Sequence, residues 1–218
     1  MSMASSTRAD RALVTRRRMV RAAYDLFCDN GYLGTTISAI AKEAGVAVPT
    51  IYYTFGTKAV LLSEALGAAI VGFDRWRPPP ADPQIDELLP WNHWWEEFES
   101  SPTSDAAFDT FFSHGVGILE RAAPLVATLH GASGDPEAAE VLRTSEERRL
   151  GAYRESVRII AAKPGGLRPG LTVAKATDIL LVLFSAELYQ SVRTGRGWSA
   201  ERTESFLYQL LTTQLLAA

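Results

Sequence analysis

The side chains best suited to hold a polar partner are concentrated between Thr35 and Lys58, in the stretch TTISAIAKEAGVAVPTIYYTFGTK. Threonine, serine and tyrosine hydroxyls both donate and accept hydrogen bonds, and the lysine ammonium attracts anions. A set of this kind suits contacts to phosphate oxygens and base edges, provided that the backbone presents it on one surface.

Two short helices joined by a tight turn are predicted for this stretch. An apolar stripe at helical spacing marks the first helix: Ile37, Ile40, Ala41 and Ala44. Thr36 can cap its start, and Gly45 tolerates the positive φ that ends it. A second helix is predicted over residues 48–54, with Pro49 in its first turn, where a missing N–H costs nothing. This arrangement lays a recognition helix in the major groove of DNA.

The stretch closely resembles the helix-turn-helix of the TetR family of bacterial transcriptional regulators. The residues that carry the resemblance are Phe27, Gly31, Tyr32, Thr35, Thr36, Ile40, Ala41, Ala44, Gly45, Val46, Thr50, Ile51, Tyr52, Phe55, Lys58 and Leu61. A weaker resemblance covers residues 187–216. The resemblance to the TetR family as a whole implies an all-α fold. This fold would have a flexible basic arm (1–13), a three-helix DNA-binding head (14–58) and a larger helical body for ligand binding and dimerisation (59–218).

Roles in DNA binding follow from the resemblance, position by position. Thr50 and Tyr52 occupy recognition-helix positions that face base edges or the adjacent backbone, and Ser38 occupies a second-helix position that can reach bases. Tyr53 and Lys58 match phosphate contacts. The expected DNA-binding set is Thr36, Ser38, Val48, Pro49, Thr50, Tyr52, Tyr53 and Lys58.

Two positions depart from the family pattern. Ala47 replaces the serine or threonine that usually caps the recognition helix, which loosens that helix by about 1 kcal/mol. Thr54 stands where the family often has a histidine, and it reaches less far towards a phosphate. The recognition helix also has no Arg, Lys, Asn or Gln, so we expect sequence to be read partly through thymine methyl contacts, by Val48 and Pro49, and through DNA shape.

Charge is divided unevenly along the 218 residues. The part up to Lys58 has 8 basic and 4 acidic residues, and the remainder has 14 basic and 21 acidic residues, so a head of net charge +4 precedes a body of net charge −7. Arg16, Arg17 and Arg18 lead into the first helix, where they form either a solvated face or phosphate contacts. The single cysteine, Cys28, argues against a disulfide framework. We expect a cytoplasmic protein with no membrane span, metal or cofactor.

Aromatic residues form two stripes at helical spacing in the body. Trp91, Trp94, Trp95 and Phe98 predict one aromatic face on a helix over residues 89–98. Phe108, Phe111 and Phe112 repeat the pattern on the next helix. Such stripes either pack a core or wall an apolar ligand pocket, and the resemblance supports the pocket. The expected ligand-binding set is Trp94, Trp95, Phe98, Phe111, Phe112 and His114.

The resemblance also implies partners. Two long terminal helices, over residues 173–193 and 199–216, would pair with their copies in a homodimer, with Leu180 and Leu210 in the interface. The dimer would bind a pseudo-palindromic operator in double-stranded DNA, and a small apolar or aromatic effector would release it. An activator or a ligand-independent DNA-binding protein is the alternative. An enzyme is the competing class, but His93 and Glu96 form only a weak pair, and no catalytic residue is assigned.

Overall fold

A computed structural model describes residues 7–80 and 83–217, and most of these residues are helical. The helices are α1 (Arg8–Gly34), α2 (Ile37–Glu43), α3 (Val48–Phe55), α4 (Lys58–Val71), α5 (Ile85–Leu88), α6 (Trp95–Ser100), α7 (Ser104–Gly131), α8 (Pro136–Ala161), α9 (Val173–Leu183), α10 (Ala186–Gln190) and α11 (Ala200–Leu215). Within the described residues there is no β-strand, only an isolated antiparallel bridge between Leu167 and Leu216. The all-α prediction is confirmed.

The chain divides into two compact units. In its described part, the first unit consists of residues 7–80 and 128–142, and the second of residues 83–127 and 143–217. The first unit, called the head below, therefore takes in α4 and extends past the boundary at 58/59 that we predicted. The second unit is called the body. The functional division into DNA-binding and ligand-binding parts remains a prediction.

The first helix is longer than predicted at its start. Thr7 and Asp10 form a capping box, in which the Thr7 hydroxyl accepts from the Asp10 N–H at 3.1 Å and the Asp10 carboxylate accepts from the Thr7 N–H at 2.9 Å. The helix consequently begins at Arg8, so the expected flexible arm over residues 1–13 is wrong from Arg8 onwards; residues 1–6 lie outside the described part. Gly31, with φ of 70°, interrupts the helix as expected, and one further turn follows it.

The head is built around the apolar faces of its first four helices. Fully or almost fully buried side chains form its core: Met19, Val20, Phe27, Ile40, Ile51, Phe55, Leu61, Leu62 and Trp76. Thr57 caps the start of α4, because its hydroxyl accepts from the Val60 N–H at 3.3 Å. Packing of α4 on α1 explains why the compact unit does not end at residue 58.

Several other helix boundaries agree with the sequence. The Asp135 carboxylate accepts from the backbone N–H groups of Glu137 and Ala138 at the start of α8, with Pro136 as its first residue. Ser199 caps α11. Pro124 lies inside α7 without ending it, although proline usually kinks or breaks a helix.

The aromatic stretch before α6 is not one helix. A short 3₁₀ turn (Leu89–Trp91) is followed by a bend, and α6 begins only at Trp95. The buried Asn92 side chain donates to the carbonyl of Leu89 at 3.2 Å, which stabilises the turn instead of a continuing helix. The predicted helix over residues 89–98 is therefore wrong, and Trp91 does not share a helical face with Trp94.

The predicted helix over residues 173–193 is also interrupted. It ends at Leu183, and Phe184 adopts φ −112° and ψ 57°, which is outside the helical region. Ser185 then caps α10, its hydroxyl accepting from the Leu188 N–H at 3.2 Å, and residues 191–195 form a π-helical turn. This break turns the Phe184 ring into the core, where it is 1% exposed.

Candidate nucleic-acid interface and aromatic cluster

Helix α2 supports the candidate interface with one buried and one exposed face. Ile40 and Ala41 are buried in the head, whereas Ser38 is exposed on the other side. The Thr36 hydroxyl accepts from the Ala39 N–H at 3.1 Å, so Thr36 serves as the helix cap. Its exposed side chain remains able to meet a partner at the start of α2.

The turn between α2 and α3 fixes the direction of the second helix. Gly45 has φ of 62°, and the next residue, Val46, donates its N–H back to the carbonyl of Ala41 at 2.9 Å. This closes α2 and frees the chain to start α3 after Ala47. Ala47 makes no side-chain cap bond, in agreement with the weak cap read from the sequence.

Helix α3 presents a sharply divided surface. Ile51 and Phe55 are buried, whereas Tyr52 is 53% exposed and Tyr53 is 93% exposed. An exposed tyrosine offers both an apolar ring and a hydroxyl that can donate or accept a hydrogen bond. Pro49 is exposed and Val48 and Thr50 are half-buried, so the expected recognition-helix residues reach the surface of the head to different degrees.

Thr54 does not take over the phosphate contact of the histidine that it replaces. Its hydroxyl donates to the carbonyl of Thr50, one turn earlier, at 2.7 Å. Because a hydroxyl has a single hydrogen, this bond leaves Thr54 no donor for a phosphate.

Lys58, expected at a phosphate, makes close contacts within the head. Its ammonium donates to the carbonyl of Tyr32 at 2.9 Å and to that of Thr35 at 3.1 Å, and it lies 4.1 Å from the centre of the Tyr32 ring. Carbonyl groups at the end of a helix lack intrahelical partners. Lys58 therefore joins the start of α4 to the end of α1, a role that the sequence did not reveal.

Two of the three consecutive arginines are also used inside the head. The Arg16 guanidinium forms a paired contact with the Glu64 carboxylate, with Nε 2.9 Å from Oε2, and it lies 5.1 Å from the centre of the Phe55 ring. Arg17 donates to the carbonyl of Trp76 at 2.7 Å. Glu64 is only 7% exposed, so this ion pair is largely removed from water.

In the body, the two aromatic stripes meet in a cluster that contains the predicted ligand-binding residues. Phe111 of α7 lies 6.3 Å from Trp94 and 6.2 Å from Phe98, measured between ring centres. The predicted residues Trp94, Trp95, Phe98, Phe111 and Phe112 are buried, and His114 is half-buried. Ring-centre distances of this size are those of attractive aromatic pairs.

Two residues that we did not predict complete the aromatic cluster. Phe184 lies 5.6 Å from Phe111 and 5.5 Å from Phe112, and Tyr153 lies 5.9 Å from Phe111. The Tyr153 hydroxyl donates to the Phe184 carbonyl at 2.7 Å, and burial raises the pKa of Tyr153 to about 12, so the hydroxyl stays protonated at neutral pH. We did not predict Phe184 in the cluster because the sequence pattern did not reveal the helix break that turns its ring inward.

Polar groups line one end of the aromatic cluster. The His114 ring stacks on Trp94 at 5.5 Å with 5° between the planes, and His93 meets His114 edge-on at 5.0 Å. The Asn92 side-chain amide nitrogen, close to His93 in the sequence, donates to the Leu89 carbonyl. No three residues among His, Cys, Asp and Glu in the described ranges are grouped to hold a metal ion.

The head matches a known family model. Residues 19–65, which contain the end of α1, the helix-turn-helix and most of α4, match the model of the bacterial regulatory proteins of the tetR family. The match identifies a tetR-type DNA-binding region in the head. The resemblance inferred from the sequence is thereby confirmed, while the roles of individual residues remain predictions.

Solved structures with the same fold cover nearly the whole chain. A transcriptional regulator from Saccharomonospora viridis in complex with choline has 18% identity, covers 92% of this chain and 97% of its own, and gives a TM-score of 0.66. NalD, the secondary repressor of the MexAB-OprM multidrug efflux pump in Pseudomonas aeruginosa, has 20% identity, coverage of 93% and 96%, and a TM-score of 0.62. FadR from Bacillus subtilis, in complex with stearoyl-CoA, has 18% identity, coverage of 89% and 96%, and a TM-score of 0.64.

These structures establish a shared fold for the chain and leave its effector open. No curated protein sequence matches the chain. None of the helices in the described ranges is by itself long and apolar enough to cross a membrane; α3 and α4 reach that length and hydropathy only together, across a bend of 74°.

Proposed function

We propose that this protein is a transcriptional repressor that binds a pseudo-palindromic operator as a homodimer and is released by a small, largely apolar effector. The observation that carries the DNA-binding part is the divided surface of α3, with Ile51 and Phe55 buried and Tyr53 93% exposed. A short helix held by one face and open on the other suits insertion into a major groove. The cytoplasm, where such DNA lies, is the proposed location.

The proposed reading of DNA uses few charged contacts. Helix α3 offers Tyr52 and Tyr53 hydroxyls for phosphates or base edges, and Val48 and Pro49 for thymine methyl groups. Thr50 is the residue on α3 that we assign to sequence preference. Because α3 has no side chain that makes the usual bidentate base contacts, shape and deformability of the duplex should contribute to specificity.

The homodimer that we propose uses exposed apolar side chains of α9 and α11. Val182 is 67% exposed and Phe206 is 38% exposed, and both are large apolar groups that association would remove from water. Leu180, which we expected in the interface, is fully buried within the protomer, so it belongs to the core. Charged substitutions at Val182 and Phe206, and not at Leu180, are therefore the test of the dimer, by sedimentation at micromolar concentration.

The effector that we propose binds at the aromatic cluster. The cluster combines apolar rings with the half-buried His114 and its neighbour His93, which is the mixture of a few polar groups and apolar walls found in ligand sites. The related folds crystallised with choline and with stearoyl-CoA support a small-molecule site in this architecture. An effector that weakens operator binding 100-fold requires a coupling free energy of about 2.7 kcal/mol between the two sites.

The alternative, a ligand-independent DNA-binding protein, is favoured by one observation. Phe98 is 0% exposed and Trp95 is 5% exposed, so these rings also suit a core that admits no ligand. The family contains regulators, and we assign no reaction to the chain.

The experiment that tests the proposed function has two stages. Duplexes are first selected from a random pool with the purified protein, and we expect recovery of a two-fold-related motif with half-sites one helical turn apart. A compound library is then screened for both tryptophan fluorescence change and release of the selected duplex. No enriched duplex would contradict the DNA-binding proposal, and enrichment without any releasing compound would favour the ligand-independent alternative.

The position of the effector site is tested by measuring how protein variants respond to an active compound. Phe112→Leu and His114→Gln, in the aromatic cluster, should weaken both the fluorescence and the release response. Arg154→Gln, at an exposed position outside it, should leave both unchanged. If all three variants respond like the parent protein, the site lies elsewhere in the body.

A further inference from the structure

The three consecutive arginines of α1 differ in what they contact. Arg16 is paired with Glu64, and Arg17 is bonded to the Trp76 carbonyl, so both are committed to the interior of the head. Arg18 is exposed, and no carboxylate in the described residues pairs with it. Its charge is therefore available to an outside partner.

Arg18 belongs to a basic stripe that the unexpected length of α1 creates. At 3.6 residues per turn, Arg8, Arg11 and Arg18 fall within an arc of about 80° on the helix surface and span about 15 Å along its axis. All three are exposed. Asp10 lies about 80° outside this arc, and its carboxylate is engaged in the capping box with Thr7.

The first two arginines of this basic stripe occupy positions that disfavour helix stability. Arg8 is the first residue of α1 and Arg11 lies one turn later, where the positive end of the helix dipole repels cations. The only acidic residue in that turn is Asp10. A local choice that opposes the stability of its own helix points to a functional requirement for positive charge there.

The basic stripe shares α1 with a residue that contacts the recognition helix, but it lies on a different face of α1. Arg16 is stacked over the ring of Phe55, the last residue of α3, which places this part of α1 at the C-terminal end of that helix. At roughly 100° per residue, Arg8, Arg11 and Arg18 lie about 80°, 140° and 160° around α1 from Arg16, so the stripe points away from this packed side. Arg8 also lies eight residues towards the start of α1, or about 12 Å at 1.5 Å per residue, so the stripe extends away from the contact with α3.

We propose that Arg8, Arg11 and Arg18 bind backbone phosphates of the DNA that flanks each half-site, beyond the base pairs contacted by α3. This inference rests on the proposed DNA-binding function and adds a second, sequence-independent contact surface to it. Guanidinium groups bind phosphate oxygens through paired hydrogen bonds, and phosphate contacts set affinity and register without reading sequence. The partner is double-stranded DNA longer than the operator motif.

The test compares two double variants that each remove two exposed arginines. Arg8→Gln with Arg11→Gln alters the basic stripe, and Arg154→Gln with Arg196→Gln removes the same charge from the body. Glutamine keeps a long side chain and a high helix propensity. Affinity for the selected operator is measured from 50 to 200 mM salt, on a long duplex with about ten flanking base pairs at each end and on a duplex trimmed to the motif.

We expect the stripe variant to lower the salt slope on the long duplex by about 3.6, because four phosphate contacts per dimer are lost at about 0.9 each. On the trimmed duplex, the slopes of the parent protein and the stripe variant should agree. The control variant should match the parent on both duplexes. Base preference should not change, because phosphates carry no sequence information.

Each contrary result has a distinct meaning. In one such result, the parent protein binds the operator and shows the same salt slope as the stripe variant on the long duplex. That result overturns the phosphate role of the stripe, and the regulator proposal stands. An equal fall in slope for the control variant also overturns it, because the effect would then reflect net charge. A parent protein that binds no duplex overturns both proposals. Unchanged circular dichroism of the variants establishes that α1 is intact.

Discussion

The Lys58 ammonium donates to the backbone carbonyl of Tyr32 at 2.9 Å and lies 4.1 Å from the centre of the same residue's ring. One cation thus holds both the main chain and the side chain at the end of α1, 26 positions earlier in the sequence. A residue with these contacts positions the helix-turn-helix, whether or not it also approaches a phosphate.

Replacing Lys58 with alanine should destabilise the head. The Tyr32 and Thr35 carbonyls lose a charged donor, which typically costs about 1.5–3 kcal/mol, and partial access of water should keep the loss near the lower value. Lys42→Ala, at an exposed position of α2, should change stability by less than about 0.5 kcal/mol. Urea unfolding measures both.

The same variant separates the two roles of Lys58 in DNA binding. If its ammonium also contacts a phosphate in the complex, Lys58→Ala lowers the salt slope by about 0.9 for each protomer. A weakened affinity with an unchanged slope would show that Lys58 acts only by holding α1 and α4 together.

Breaking the Arg16–Glu64 pair should cost more than breaking an exposed one. Glu64→Gln leaves the Arg16 charge without its carboxylate in a largely buried place, and we expect a loss of about 2–3 kcal/mol. Glu147→Gln removes the partner of Arg143 at an exposed site, where ion pairs contribute about 0–1 kcal/mol. Equal losses in chemical denaturation would contradict the burial argument.

Gly115 and Gly117 should respond oppositely to alanine. A methyl group on Gly115 would lie 2.6 Å from Cε1 of Phe184, so the ring must shift, and overpacking of this kind costs about 1–3 kcal/mol. On Gly117, the nearest atom is the flexible end of Arg121 at 3.3 Å, and alanine in a helix interior is favoured over glycine by about 0.5–1 kcal/mol. Thermal unfolding should therefore rank Gly117→Ala above the parent and Gly115→Ala below it.

The Cys28 thiol should react slowly in the folded protein. Burial raises the pKa of this thiol to about 11, so about one molecule in a thousand carries the thiolate at pH 8. Alkylation by iodoacetamide should increase about tenfold per pH unit between pH 7.5 and 9.5, and urea should accelerate it strongly. Because the unfolded thiol ionises near pH 8.5, stability should be lost as the pH rises above that value towards 11. A rate that levels off near pH 9 would contradict the raised pKa.

Helix boundaries that depend on neighbouring residues could be predicted from the sequence. The Thr36, Thr57 and Ser199 caps all accept from a backbone N–H three residues later, as their types and positions indicate. Ser185 makes the same bond inside an apolar run that reads as one helix. Ser185 was a possible sign of a helix start, but the apolar pattern around it favoured one continuous helix.

The contacts that organise the candidate interface could not be predicted, because they join residues far apart in the chain. Arg16 meets Glu64 across 48 positions and Arg17 meets Trp76 across 59. In a single sequence, an arginine that is paired inside the head is indistinguishable from one that faces solvent. Residue types therefore indicated a basic DNA-binding head. Only the packing of the head shows that Arg18 is exposed while Arg16 and Arg17 bond to other residues of the head.

The discontinuous head also matters for building hybrid regulators. Residues 128–142 belong to the same compact unit as residues 7–80, and the Thr128 hydroxyl donates to the Phe27 carbonyl at 3.0 Å. A graft that moves only the first 58 residues onto another body would separate Lys58 from most of α4 and leave Phe27 opposite a foreign side chain. An exchange of operator specificity should therefore use three junctions, near residues 80, 127 and 142.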